Sequence, residues 1–249
     1  MQSIDMASRT WSTCSRCRTK LVGIYHFVWD DAFCGPCARE SCGMCSACGD
    51  LTFRDATGSR KGPDGRNWCR LCATPLVGDD IDAASALTQF RTVLLSSGLK
   101  IGVSKLAVDL VPLSRSDHGT SSSVVGLTHS SHDGRSWNHR VKISKHVPDY
   151  LFGAVMAHEL GHIWIAQSEF DRAPSREQQE GMCELFAHLW LNAWGAHRQT
   201  RRWAQQLNVR ADEYGRGYRW AVKTFGIADG ASVQSEIRRY FGTKNGLTL

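Results

Sequence analysis

The sequence predicts an α+β protein: a small cysteine-rich module over residues 1–75, then a mixed domain over 76–249 with a small sheet and a helical C-terminal half. Three observations carry this. Nine of the ten cysteines fall between Cys14 and Cys72. Valine- and leucine-rich runs follow between Lys105 and Lys145, and long apolar segments with three- and four-residue periodicity fill most of the rest.

With 249 residues, 42% hydrophobic and 22% charged, the chain has the balance of a globular protein, which excludes disorder and fibres. No run approaches the roughly eighteen apolar residues of a membrane span. The first eleven residues lack the basic-then-apolar layout of a secretory signal, so a cytoplasmic protein with no membrane partner is expected. The formal charge is +6. Eight zinc-bound thiolates and three zinc ions would lower it to about +4. The basic residues are scattered apart from Arg198, Arg201 and Arg202 and the pair Arg238 and Arg239, so the case for nucleic acid as a partner is weak.

In the first module four cysteine pairs share one spacing. Cys14/Cys17 and Cys34/Cys37 are sixteen residues apart, and Cys45/Cys48 and Cys69/Cys72 twenty. Each set fits a closed four-sulfur zinc site of the zinc-ribbon kind. A secreted disulfide scaffold would be short and led by a signal, and a reactive redox pair would have no reason to recur four times. Closed sites leave no coordination position free, so the expected role is structural, supporting a docking platform. Cys42 is surplus; it is able to replace Cys45, although the Cys45/Cys48 pair leaves the more regular spacing.

The composition changes between Thr74 and Asp82. From Ile81 to Leu99 the residues Ile81, Ala84, Leu87, Phe90, Val93 and Leu94 predict an amphipathic helix linking the two parts. Strands are expected at Lys105–Leu113, Ser123–His129 and His139–Lys145, with a turn over Ser130–Ser136. Pro148 suits the first turn of a helix over Asp149–Gln167, and Pro174 with Ser175 opens another reaching Trp194. Further helices are expected at Asp212–Phe225 and Ala231–Tyr240.

Within the first of these long helices stands His158-Glu159-Leu160-Gly161-His162. Residues four apart share a helix face, so both imidazoles can reach one zinc, and Glu159, one step round, can stand beside the metal as general base. Its neighbours Leu151, Phe152, Val155, Met156, Ala157, Leu160, Ile163 and Trp164 predict burial. An unpaired buried polar group costs about 1–3 kcal/mol, so these three need partners. A catalytic zinc keeps three protein ligands and one open position. Glu180, eighteen residues after His162 on the next helix, is the expected third ligand, with Glu177 the alternative. Glu184, one turn on, is positioned to accept a ligand imidazole's free N–H. His188 extends that face and is read either as a core histidine or as a catalytic one; Cys183 is read as a small core residue. HExxH by itself is a short motif that arises by chance.

Taken together, these residues resemble the LIM-domain-associated, ubiquitin-activated metallopeptidases known as regulators of organ size in plants. The resemblance runs from Cys14 to about Phe241. It takes in the cysteine pairs, Val108–Leu113, Val125-Gly126-Leu127, the HExxH helix, Glu180-Gly181-Met182-Cys183, Ala187-His188-Leu189-Trp190-Leu191 and Tyr214-Gly215-Arg216-Gly217-Tyr218. It implies a LIM-like two-zinc module followed by a thermolysin-like peptidase domain, with His158, His162 and Glu180 as ligands and Glu159 as base. It also favours Cys45 over Cys42. Two readings stand open for Tyr214 and Tyr218, core packing and stabilisation of an oxyanion. The 249 residues leave no room for a ubiquitin-interacting region or a complete additional LIM domain, so ubiquitin-linked regulation is implied by the resemblance alone.

The expected function is zinc-dependent endopeptidase action on protein or peptide substrates through zinc-activated water, with one catalytic and two structural zinc ions. The competing expectation is a zinc-ribbon adaptor or nucleic-acid-binding protein whose peptidase-like domain is non-catalytic.

Overall fold

The computed structural model describes residues 12–23, 25–28, 31–53, 59–62, 65–73, 76–102, 106–112, 125–195 and 197–243. The chain divides into two compact units, Met1–Thr74 and Pro75–Leu249. Among the described residues it is a mixed α+β structure with seven helices and several small sheets.

The first unit is built from two-stranded hairpins. Strands β1 (Tyr25–Val28) and β2 (Asp31–Cys34) pair antiparallel, followed by the one-turn helix α1 (Gly35–Arg39), whose Pro36 sits in the first turn. Next come β3 (Ser41–Met44) with β4 (Leu51–Phe53), then β5 (Arg60–Lys61) with β6 (Asn67–Trp68). The β3/β4 register shifts between Ser41 and Gly43, where Gly43 takes φ +112. The apolar core is small: Cys14, Phe33, Cys37 and Phe53, flanked by Leu21, Val28, Ala38 and Leu51.

In the second unit β7 (Leu76–Val77) leads to α2 (Asp80–Ser96), capped by the Asp79 carboxylate, which accepts from the Ile81 and Asp82 amides. The strands β8 (Leu106–Val111), β9 (Gly126–His132) and β10 (Trp137–Ser144) form a sheet in the order β8-β10-β9, with β10 parallel to β8 and antiparallel to β9. A short β11 (Val147–Pro148) pairs with β7. Five helices follow: α3 (Asp149–Gln167), α4 (Arg176–Trp194), α5 (His197–Val209), α6 (Glu213–Phe225) and α7 (Gly230–Phe241). A core of Trp164, Met182, Leu185, Phe186, Phe225, Val233 and Ile237 joins α3, α4, α6 and α7.

Four expectations are corrected. Helix α2 belongs to the second unit and packs on its helices: Phe90 stacks on Trp190 at 5.8 Å, and the Trp190 indole donates to the Phe90 carbonyl. Its buried stripe is Ala83, Ala86 and Phe90, while Ile81 is 81% exposed, because the small alanines permit close approach to the neighbouring helices. Strand β9 continues through His132, so the turn shrinks to the tight Asp133–Ser136 loop, where the Asp133 carboxylate accepts from the amides of Arg135 and Ser136. Helix α5 was not expected, since its apolar residues are few. Residues 103–105 and 113–124, which include the ends of two expected strands, lie outside the described residues.

Candidate metal centres and active site

Helix α3 is apolar on nearly every side and buried from Tyr150 to Ile165 apart from its histidines. Two glycines let α4 lie against it. A Cβ at Gly153 would overlap the Trp190 ring, and one at Gly161 would come within 2.9 Å of the Cys183 sulfur. The later position on α3 meets the earlier one on α4, so the helices run antiparallel and His162 lies near the start of α4. That start is fixed by a capping box: the Ser175 hydroxyl accepts from the Gln178 amide while the Gln178 side chain accepts from the Ser175 amide. Glu180, one turn in, is thereby brought to the two histidines.

The resulting triangle is compact. His158 Nε2 lies 3.2 Å from His162 Nε2 and 3.3 Å from Glu180 Oε2, and His162 Nε2 lies 3.6 Å from the same oxygen. Ligands of a tetrahedral zinc with bonds near 2.0–2.1 Å stand roughly 3.3 Å apart. Glu180 is 8% exposed, and its Oε2 faces the two imidazole nitrogens. A divalent cation inside the triangle would satisfy this buried acceptor and separate the facing nitrogens. The donors therefore fit a metal ion and are consistent with zinc.

Electrostatics agree. Burial opposes a proton on His158, yet Glu180, Glu184 and Glu159 outweigh it and push that imidazole up to about 9. Burial and the neighbouring His158 hold His162 down to about 4. The carboxylates around His158 thus favour a proton on that imidazole in the metal-free chain.

Glu159 is 5% exposed; burial raises its carboxyl, while His158 and the Thr128 hydroxyl pull it back. Thr128 on β9 donates to Glu159 Oε2 at 2.6 Å. Glu184 Oε1 lies 3.6 Å from His158 Nδ1, and its Oε2 accepts from the Trp203 indole at 3.1 Å. The Tyr214 ring stands 6.2 Å from that of His158, and burial with Glu180, Glu213 and Glu184 pushes its phenol up to about 12, so it remains a donor. His188 is not with them: its Nδ1 meets the Tyr218 hydroxyl at 2.5 Å, and burial holds it down to about 4. Glu177 also lies apart, paired with Arg216 at 2.7 Å. The Cys183 sulfur lies within 4.8 Å of ligand nitrogens of His158 and His162, so these three form a second compact donor set. We favour Glu180, because it already stands at ligand distance whereas burial and the surrounding carboxylates keep Cys183 a neutral thiol packed against Gly161. Thr128, Trp203 and the proximity of Cys183 carry no spacing signal in the sequence.

In the first unit the sulfurs of Cys14, Cys17, Cys34 and Cys37 gather within 4.8 Å, as do those of Cys45, Cys48, Cys69 and Cys72. The Cys17–Cys34 and Cys48–Cys69 separations, 3.8 and 3.6 Å, match the roughly 3.8 Å expected between sulfurs around a tetrahedral zinc. In the buried second quartet the neighbouring thiols push Cys45 down and Cys48 and Cys72 up, so the four do not ionise together without a cation. Each quartet is able to hold a metal ion. Cys42 stands outside both; its carbonyl accepts from the Asn67 amide group.

The fold and site thus define an α+β chain with three candidate metal centres, one of them a buried histidine–carboxylate cluster. Residues 113–214, which contain that cluster, match the DA1-like family model, described as Protein DA1. Protein DA1 of Arabidopsis thaliana is 40% identical over 47 residues, covering 19% of this chain and 9% of that protein. The family model covers less than half of this chain, and the chain spans only a small part of the length of the relative it matches. No solved structure matches the chain, and among the described residues no helix is long and apolar enough to cross a membrane.

Proposed function

We propose that this chain is a zinc-dependent endopeptidase of the DA1 family, with a thermolysin-like catalytic domain and a LIM-like two-zinc module that docks partners or substrate. The observation that carries this reading is the compact triangle of His158, His162 and Glu180 ligand atoms. Zinc held there would polarise a peptide carbonyl and lower the pKa of water toward 7. Glu159 takes the proton of the attacking water and delivers it to the departing amine. Glu184 orients the His158 ring, and the Tyr214 phenol is the donor available to the developing oxyanion.

Cleavage of a peptide library by the zinc-loaded chain beside Glu159→Gln tests this. Cleavage by the wild type, reduced at least a hundredfold in the variant, is expected from loss of the general base. Equal, negligible cleavage by both would leave the adaptor reading.

A further inference from the structure

Strand β9 touches the general base at two points. At Thr128 the hydroxyl donates to Glu159 Oε2 at 2.6 Å, with the Glu159 backbone carbonyl 3.3 Å away as a secondary contact. Two residues earlier on the strand, Gly126 has no side chain, and a Cβ there would stand 2.5 Å from Glu159 Oε1 and overlap Val155. One oxygen is hydrogen-bonded and the other lies against bare backbone. β9 is held to the rest of the sheet through β10, where Thr128 pairs with Val141, a fully buried residue. The strand is thus held along one edge by β10, and its Thr128 hydroxyl restricts the three-torsion Glu159 side chain.

We propose that Thr128 is a positioning residue for the general base: its hydroxyl fixes the Glu159 carboxylate in the orientation from which it accepts a proton. The Thr128 hydroxyl engages one lone pair of Oε2, and the missing side chain at Gly126 leaves room for Oε1. The inference rests on the proposed role of Glu159.

The test uses the full zinc-loaded chain and acetohydroxamic acid, a small zinc-binding probe whose N–H and O–H need an acceptor beside the metal. Calorimetry on Thr128→Val should show binding about tenfold weaker, as expected for loss of a charge-assisted hydrogen bond, with zinc content and circular dichroism unchanged. Thr128→Ser should restore wild-type affinity. With Glu159→Ala as background, Thr128→Val should change nothing. Any peptide that the wild type cleaves should show kcat about tenfold lower in Thr128→Val with KM unchanged. Binding within twofold of wild type would overturn the proposal, as would an equal loss in the Glu159→Ala background or loss of zinc from Thr128→Val. Should Thr128→Val fail to fold, Thr128→Ala is read by the same criteria. Probe coupling without peptide cleavage would sink the peptidase reading and leave the positioning role intact; a zinc-loaded wild type that binds no probe would sink both.

Discussion

At the scale of the residue, the buried charge at His158 leads to a measurable proton count. In the metal-free chain His158 titrates near 9 and His162 near 4. A zinc ligand must be a neutral imidazole. At pH 7 His162 is already neutral and His158 carries a proton, so filling this site should release about one proton. Titrating zinc into protein whose cysteine quartets are already loaded, in two buffers of different ionisation enthalpy, reads that number. Glu180→Ala should abolish both the third zinc and the proton, and release of no proton by the wild type would contradict the charge state argued here. The same values set a stability profile for the metal-free second unit. His158, raised in the folded state, contributes stability that is complete below the ordinary pKa of about 6.5 and is lost as pH rises through about 9. His162, lowered, costs stability as pH falls below about 6.5. These two groups therefore favour folding most near pH 6.5.

At the scale of the element, the candidate metal site depends on where helix backbones touch. A Cβ at Gly217 on α6 would overlap the Glu177 carbonyl oxygen, and one at Gly181 on α4 would overlap Gly217 itself. The crossing is flanked by ion pairs, Arg176–Glu213 at 2.8 Å and Glu177–Arg216 at 2.7 Å, both exposed enough to contribute little. Helix propensity alone would make Gly217→Ala stabilising by about 1 kcal/mol. Backbone overlap outweighs that, so a net loss of about 1–3 kcal/mol is expected, read as a lower urea midpoint, together with weaker zinc retention because Glu180 adjoins Gly181. A rise in midpoint would show that the crossing has slack. Helices α3 and α4 were legible because their apolar residues are dense and their starts are marked by Pro148 and Ser175. The buried face of α2 was not, because alanine's burial is decided by what packs against it. Helix α5 was hidden because Trp203, Ala204 and Leu207 are set among polar residues, and the bond from Trp203 to Glu184 spans nineteen positions without a repeating pattern.

At the scale of the whole molecule, the two units differ in what holds them. The second has a continuous core of large side chains through α3, α4, α6 and α7, including fully buried Met182, Leu185, Phe186 and Ile237. The first has a small cluster around Phe33 and Phe53, with Trp68 and the second cysteine quartet buried apart from that cluster, and its strands are two to four residues long. Hairpins of that length are not stable alone in water. Metal bound to the quartets is expected to supply the missing stability, since metal binding is coupled to folding in small zinc-held units. The cysteine pairs are legible in the sequence because they are a repeated local pattern, whereas the approach of Glu180 to the two histidines depends on a helix crossing. A strong chelator should therefore split the molecule's behaviour. Amide hydrogen exchange should rise toward unfolded rates between Cys14 and Cys72 while α3 and α4 stay protected, and zinc should restore the first unit. Protection persisting across both quartets in metal-free protein would mean that the small core suffices and that the cysteines serve another purpose.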